Sequence, residues 1–223
     1  MYYGMPKSGV IENHEVRHAI KVAAATGQNR ERDVALLTVA YGTGITPNEC
    51  AKLLVSDYLS ADGNVVRESK VRAEIAFNGK ARPLHWSSPS VRAAVDAYLA
   101  YRLAARHAIT THPAAYRGLD HQSPLFLAGD GAPFAFTRRI TPAGAVSYSC
   151  ESLTEVFRRL HQQAGIAKGS ATTARRTFAV SLHRKGLSPK LIQELIGVSS
   201  LSAVKRMIAG DPVRLGSIVS GVI

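Results

Sequence analysis

The sequence is short of cysteine, of acidic charge and of long apolar runs, and these shortages narrow what it can be. Two cysteines in 223 residues, Cys50 and Cys150, are too few for a disulfide-stapled secreted domain and fit reduced thiols. A chain of this length buries about 70% of its unfolded surface, so it folds without disulfides or a metal. No stretch approaches the roughly 18 consecutive apolar residues of a membrane span. The opening MYYGMPKSGV lacks the basic-then-apolar order of a secretory signal. These absences predict a cytoplasmic protein with no membrane partner. The eight histidines show no metal-ligand spacing, and Gly129-Asp130-Gly131 has no Lys-Ser/Thr behind it to make a phosphate loop. No metal, cofactor or small-molecule substrate is expected.

What the chain does have is basic charge. Twenty-eight Lys and Arg stand against 16 Asp and Glu, a formal charge of +12. The excess is uneven: residues 1 to 57 are neutral, residues 58 to 150 carry eleven basic and six acidic groups, and residues 151 to 223 carry eleven and four. In the last third the basic residues alternate with periodic Leu, Ile, Val and Phe, so they decorate a folded surface and do not form a low-complexity tail. A polyanionic partner is implied.

No internal repeat or long linker divides the chain. The apolar spacing predicts helices over Glu15 to Ala25, Arg32 to Tyr41, Asn48 to Leu54, Ser88 to Arg106, Ser152 to Gln163, Thr172 to Arg184, Pro189 to Ile196 and Ser200 to Ile208. Between Asp62 and Trp86 the period changes. Asp62-Gly63 and Asn78-Gly79 are turn dipeptides, and Val65 to Arg67, Val71 to Phe77 and Ala81 to Trp86 read as short strands. The expected fold class is α+β, mostly helical with a small three-stranded antiparallel sheet. Thr110 to Gly144 reads as turn-rich, with Pro124 to Leu127 its one apolar piece.

Three segments carry a resemblance when read together: Thr43-Gly-Ile-Thr-Pro-Asn-Glu49, Thr172-Thr-Ala-Arg-Arg-Thr-Phe-Ala179, and Leu195-Ile-Gly-Val-Ser-Ser-Leu-Ser-Ala-Val-Lys-Arg-Met207. Over residues 10 to 208 the chain resembles the catalytic domain of tyrosine recombinases, the phage-integrase family, and no gap is needed inside any of the three boxes. The resemblance implies residues 1 to 9 as an extension, residues 10 to 208 as the domain, residues 209 to 223 as a tail, and no separate N-terminal DNA-clamping domain.

In that family two Arg neutralise the scissile phosphate, a hairpin Lys and two His handle protons and phosphate oxygens, and a Tyr attacks phosphorus. Position by position, this chain departs from the pattern. Thr46 stands where the first Arg would be, Thr172 and Val198 at the two His positions, and Met207 at the nucleophile; Arg175 matches the second Arg. For the hairpin Lys there are two candidates, Lys80 at the Asn78-Gly79 turn and Lys70 near the preceding turn, and the family's strict spacing before Pro83-Leu84 points to neither. A threonine makes no bidentate phosphate contact and a thioether does not form a phosphotyrosine-type ester. The expectation is therefore no catalytic residue and no enzyme. It is a double-stranded-DNA-binding protein, bacterial and nucleoid-associated, that regulates transcription or serves as an accessory factor. The alternative is a non-cleaving partner of an intact recombinase in DNA integration or recombination.

The expected DNA contacts are Arg175, Arg176, Arg158, Arg159, Lys80, Arg184, Lys205 and Arg206. Base readout would come from the helix around 152 to 163 or near 172 to 184. Against this stand plainer readings: each basic pair is solvated, or Arg175 and Arg176 pair with Glu151 or Glu155. His161 and His183 are placed near the DNA face, and Cys50 in the core. The apolar run Ile218 to Ile223 is an interaction patch for a homodimer or a recombinase partner.

Overall fold

The computed structural model describes residues 9–27, 29–140, 144 and 146–211. Eight helices run through them: α1 (Asn13–Ala25), α2 (Arg30–Thr43), α3 (Pro47–Lys52), α4 (Pro89–Ala104), α5 (Glu151–Gln163), α6 (Ala171–Arg184), α7 (Pro189–Ile196) and α8 (Leu201–Ile208). Four short strands complete the fold: β1 (Glu68–Val71), β2 (Arg82–His85), β3 (Thr137–Ile140) and β4 (Val146–Ser149). The α+β class and the helix order follow the sequence expectation.

Helix starts obey local chemistry. Thr46 caps α3: its hydroxyl accepts the Glu49 N–H at 3.3 Å while the Glu49 carboxylate accepts the Thr46 N–H at 2.9 Å, a reciprocal box with Pro47 in the first turn. The hydroxyls of Ser170, Ser188 and Ser200 cap α6, α7 and α8, each accepting the N–H three residues on. Helix α2 is the axis of the domain. Ala35, Leu36, Leu37, Val39 and Ala40 are buried around it, and it packs against α1, α4 and α6. Because its apolar residues run almost all round, it lies inside the domain, as a helix without a polar face must. A second, smaller core joins α6, α7 and α8 through Ala179, Val180, Ile192, Ile196, Val204 and Ile208.

The sheet differs from the expected three strands. β1 pairs antiparallel only with β2, bringing Lys70 opposite Pro83 and Val71 opposite Arg82. The segment expected as a strand from Val71 to Phe77 curls after Val71, with the Ile75 and Ala76 N–H groups both bonded to the Arg72 carbonyl. Arg72 explains the curl. Its guanidinium is tied to the Asp57 carboxylate and the Lys52 carbonyl, which pins the chain to α3 before it can extend, and Ile75 turns inward. Val65 contributes a single bridge to Leu59. The second ribbon, β3 with β4, lies where turns were expected; its residues are exposed along nearly their whole length, so no apolar alternation announces it. No helix of the described residues is long and apolar enough to cross a membrane. The run Ile218 to Ile223 lies outside the described residues.

Candidate nucleic-acid interface

Two buried arginines tie the three sequence boxes together. Arg175, in the middle of α6, donates to the Gly44 carbonyl at 2.6 Å and to the Ile196 carbonyl at the end of α7. Arg82, on β2, donates to the Leu195 carbonyl at 2.8 Å and to the Glu49 carboxylate at 3.0 Å. Glu49 lies 3.9 Å from the Arg175 guanidinium as well, and its other oxygen accepts the Phe77 N–H at 3.1 Å. One carboxylate thus sits between two guanidiniums, and each guanidinium reaches a carbonyl that ends a helix. Those carbonyls have no intrahelical partner, so the arginines satisfy groups that would otherwise be orphaned.

Burial sets the protonation of this cluster. Desolvation pushes the Glu49 carboxyl up, but Arg82, the N–H groups of Thr46 and Phe77, and Arg175 outweigh it and hold the group below the usual carboxylate range. Desolvation brings the Arg175 guanidinium down to about 10 against the support of Glu49, with Arg82 adding repulsion; it stays charged at neutral pH. Two glycines make the close approach feasible. Gly44 ends α2 at φ +65°, and a Cβ there would stand 2.6 Å from Phe178 Cδ1. Gly197 ends α7 at φ +67° with Arg82 packed against it.

The four departures from the recombinase pattern have defined places. Thr46 caps α3, its hydroxyl spent on the cap. Thr172 is exposed in the first turn of α6. Val198 lines an open cleft of about 280 Å³ together with Lys80, Arg82 and Lys190. Met207 is half-buried against the α6–α8 core, and its carbonyl accepts from Arg176 Nε at 3.0 Å. Arg175, expected to meet a phosphate, instead spends its guanidinium on protein carbonyls, leaving 7% of the residue exposed.

Other expected contacts divide into engaged and open groups. Arg158 bonds Glu155 at 2.8 Å, Arg159 reaches Asp33 at 3.2 Å, and Arg184 bridges Glu12 and Asp211 at 2.9 and 2.8 Å. Glu151, an alternative partner for Arg175 or Arg176, pairs with Arg139. Lys80, Lys205 and Arg206 are exposed, and no ion pair holds them among the described residues. Lys70 is also exposed, on β1. His161 is not at a DNA face. It is fully buried, with Nδ1 2.6 Å from the Phe157 carbonyl and Nε2 2.6 Å from the Tyr41 hydroxyl. His183 is half-buried with Nδ1 enclosed. Cys50 lies in the core, as expected. Sequence reasoning missed Arg82 and Glu49 as the centre of the cluster; the spacing of Glu49 from Thr46 was visible, but Arg82 lies on a strand whose pairing only the fold creates.

A model of the phage integrase family matches residues 10–211, and the chain belongs to that family, a family of DNA recombination and integration. The domain has the tyrosine-recombinase fold. The crystal structure of XerA recombinase superposes with a TM-score of 0.66 at 21% identity, over 97% of this chain and 65% of that one. XerH site-specific recombinase, bound to a palindromic difH substrate in a post-cleavage complex, gives 0.63 at 19% identity over 97% and 54%. The Tn1549 transposon integrase with circular intermediate DNA gives 0.59 at 16% over 93% and 62%. The chain therefore spans between a half and two thirds of the length of these proteins. No curated protein sequence matches it. Family membership overturns one expectation from the sequence, that the chain is not an enzyme. The family is one of DNA-cleaving enzymes, the XerH structure is a post-cleavage state, and four altered positions do not by themselves show inactivity.

Proposed function

We propose that the chain binds double-stranded DNA and acts on it in integration or recombination. The observation that carries the reading is the cleft beside the buried cluster. Lys80 stands there exposed and without an ion-pair partner among the described residues, where the hairpin meets the end of α7; of the other charged groups lining the cleft, Lys190 pairs with Glu194 and Arg82 with Glu49, which leaves Lys80 as the open cation. Lys205 and Arg206 on α8 extend the open positive charge, and Arg176 stands beside them through Met207. The exposed pair of Arg158 with Glu155 is worth little in water, and its guanidinium can exchange the carboxylate for a phosphate. Arg159 is paired with the buried Asp33 and Arg184 is enclosed between Glu12 and Asp211, so these two stay engaged with the protein and Arg158 is the cation of this group open to a phosphate. Arg175 supports the interface from beneath by holding Gly44 and Ile196.

Bound beside a promoter, the same surface would regulate transcription, and a location on the bacterial nucleoid is part of the same proposal. The apolar run Ile218 to Ile223 favours a second reading, in which the chain works with a second copy or with another recombinase subunit.

A mobility shift on duplex DNA across a salt series tests the first reading. Phosphate contacts release counterions, so affinity should fall steeply and linearly in log–log form. Absent or salt-indifferent binding overturns it. A nicked suicide substrate reports on strand cleavage directly, through a denaturation-resistant protein–DNA adduct. Co-purification with a recombinase, and an altered cleavage pattern in its presence, marks the second reading.

A further inference from the structure

Two aromatic rings stand out of the surface next to the buried cluster. Phe77 is 65% exposed and Tyr148 is 54% exposed. Both line one open cleft of about 580 Å³, whose walls include Thr46, Pro47, Lys52 and Glu74, the last paired with Arg72 at 3.0 Å. Exposed apolar rings gathered in one cleft, rather than scattered singly, mark a surface for binding. These two are held from behind by consecutive residues of α3. The Asn48 side chain donates to the Tyr148 carbonyl at 2.8 Å and accepts the Cys150 N–H at 2.8 Å. The Glu49 carboxylate accepts the Phe77 N–H at 3.1 Å. One helical turn therefore sets the separation of the two backbones that carry the rings. Phe77 is also backed by the Arg175 guanidinium, 5.9 Å from the ring centroid.

Cations flank the rings. Lys52 is on the cleft wall, its Nζ 4.7 Å from the Phe136 ring centroid. Arg138 stands directly opposite Tyr148 in the β3–β4 register, hence on the same face of the ribbon; it is exposed and has no ion pair among the described residues. Apolar flat surfaces bordered by positive charge match a nucleobase with its neighbouring phosphates. Inside an intact duplex the base faces are covered by stacking, and only edges are presented. The ligand chemistry is therefore an unpaired, unstacked nucleotide.

We propose that the cleft between Phe77 and Tyr148 receives an unstacked base of the bound DNA, with the rings as stacking surfaces and Lys52 and Arg138 on the flanking phosphates. The inference rests on the DNA-binding reading above and names a second ligand for the same protein. The test is the dissociation constant, at one fixed salt concentration, for a mixed-sequence duplex and for the same duplex carrying a one-nucleotide bulge. Stacking of one base on aromatic side chains is worth roughly tenfold in affinity, so the bulged DNA, with one base held between the two rings, should bind about tenfold tighter. Phe77→Ala and Tyr148→Ala should each collapse that ratio, and Tyr148→Phe should keep it, because stacking needs the ring and not the hydroxyl. Thermal melting of each variant confirms that the fold is retained.

Equal affinity for the two DNAs overturns the inference while leaving duplex binding in place. So does a ratio that survives Phe77→Ala, or one that Tyr148→Phe removes as fully as Tyr148→Ala. Binding to neither DNA overturns this inference together with the reading it rests on.

Discussion

The Glu49 carboxylate and the Arg82 guanidinium meet at 3.0 Å with almost none of either side chain left in water, 33 residues apart in the chain. A pair this enclosed is costly to break, because removing one partner strands the other as a buried, unpaired charge. Glu49→Gln should therefore destabilise the domain by about 3 kcal/mol or more, read as a shift in the urea midpoint. The pH dependence has a fixed sign. The folded carboxyl lies below its ordinary 4.5, so its contribution is whole above pH 4.5 and is lost as pH falls through the folded value. The acid limb of the wild-type stability curve should flatten in the variant; an unchanged limb would show that Glu49 does not carry it.

Gly44 offers a test free of charge effects. Its φ of +65° is the left-handed region, and a Cβ would press on Phe178. Gly44→Ala should cost about 1–2 kcal/mol from the backbone alone, with the ring contact adding to it. Because Arg175 bonds the Gly44 carbonyl, the loss should couple with Arg175→Ala in a double-mutant cycle, and simple additivity would break the proposed link.

Lys80, Lys205 and Arg206 should reveal themselves through salt. Each cation that meets a phosphate contributes about 0.9 to the slope of log affinity against log salt. Replacing any one by Ala should lower the slope by about 1 and weaken binding to all duplexes alike. A residue whose replacement leaves the slope unchanged is no phosphate contact.

His161 predicts a pH response near neutrality. Its Nδ1 donates to the Phe157 carbonyl, so Nε2 accepts from the Tyr41 hydroxyl and the ring is neutral. Burial lowers its pKa below 6.5, against the opposing effect of that carbonyl. As pH falls past 6.5 the unfolded chain takes up a proton that the folded chain resists, and stability declines. Tyr41→Phe should cost about 1–3 kcal/mol by leaving Nε2 without its donor. Denaturation at about pH 7.5 and about pH 5.5 should show wild-type stability falling between the two; a flat profile refutes the assignment.

The helices were legible because their signals are local. Pro189–Ile196 matches its expected bounds, and the other helices lie within two residues of theirs at every end, since caps and a 3.6-residue period are written into neighbouring positions. The family was legible for the same reason, through three ungapped boxes. The β3–β4 ribbon was not, because exposed strands carry no apolar alternation. Nor was the curl after Val71, which depends on Arg72 finding Asp57 across 15 residues.

By itself, the sequence determined the basic excess, the helical framework and the occupants of the four altered positions, all properties of composition and near neighbours. Only the tertiary structure decided how each charge is used. Arg175 reaches back 131 residues to Gly44 and Arg159 back 126 to Asp33, while Lys80 is left in water. Whether a guanidinium is a structural bolt or a phosphate contact depends on which carbonyl or carboxylate the fold brings within hydrogen-bond reach. That is a long-range distance, which no local pattern records.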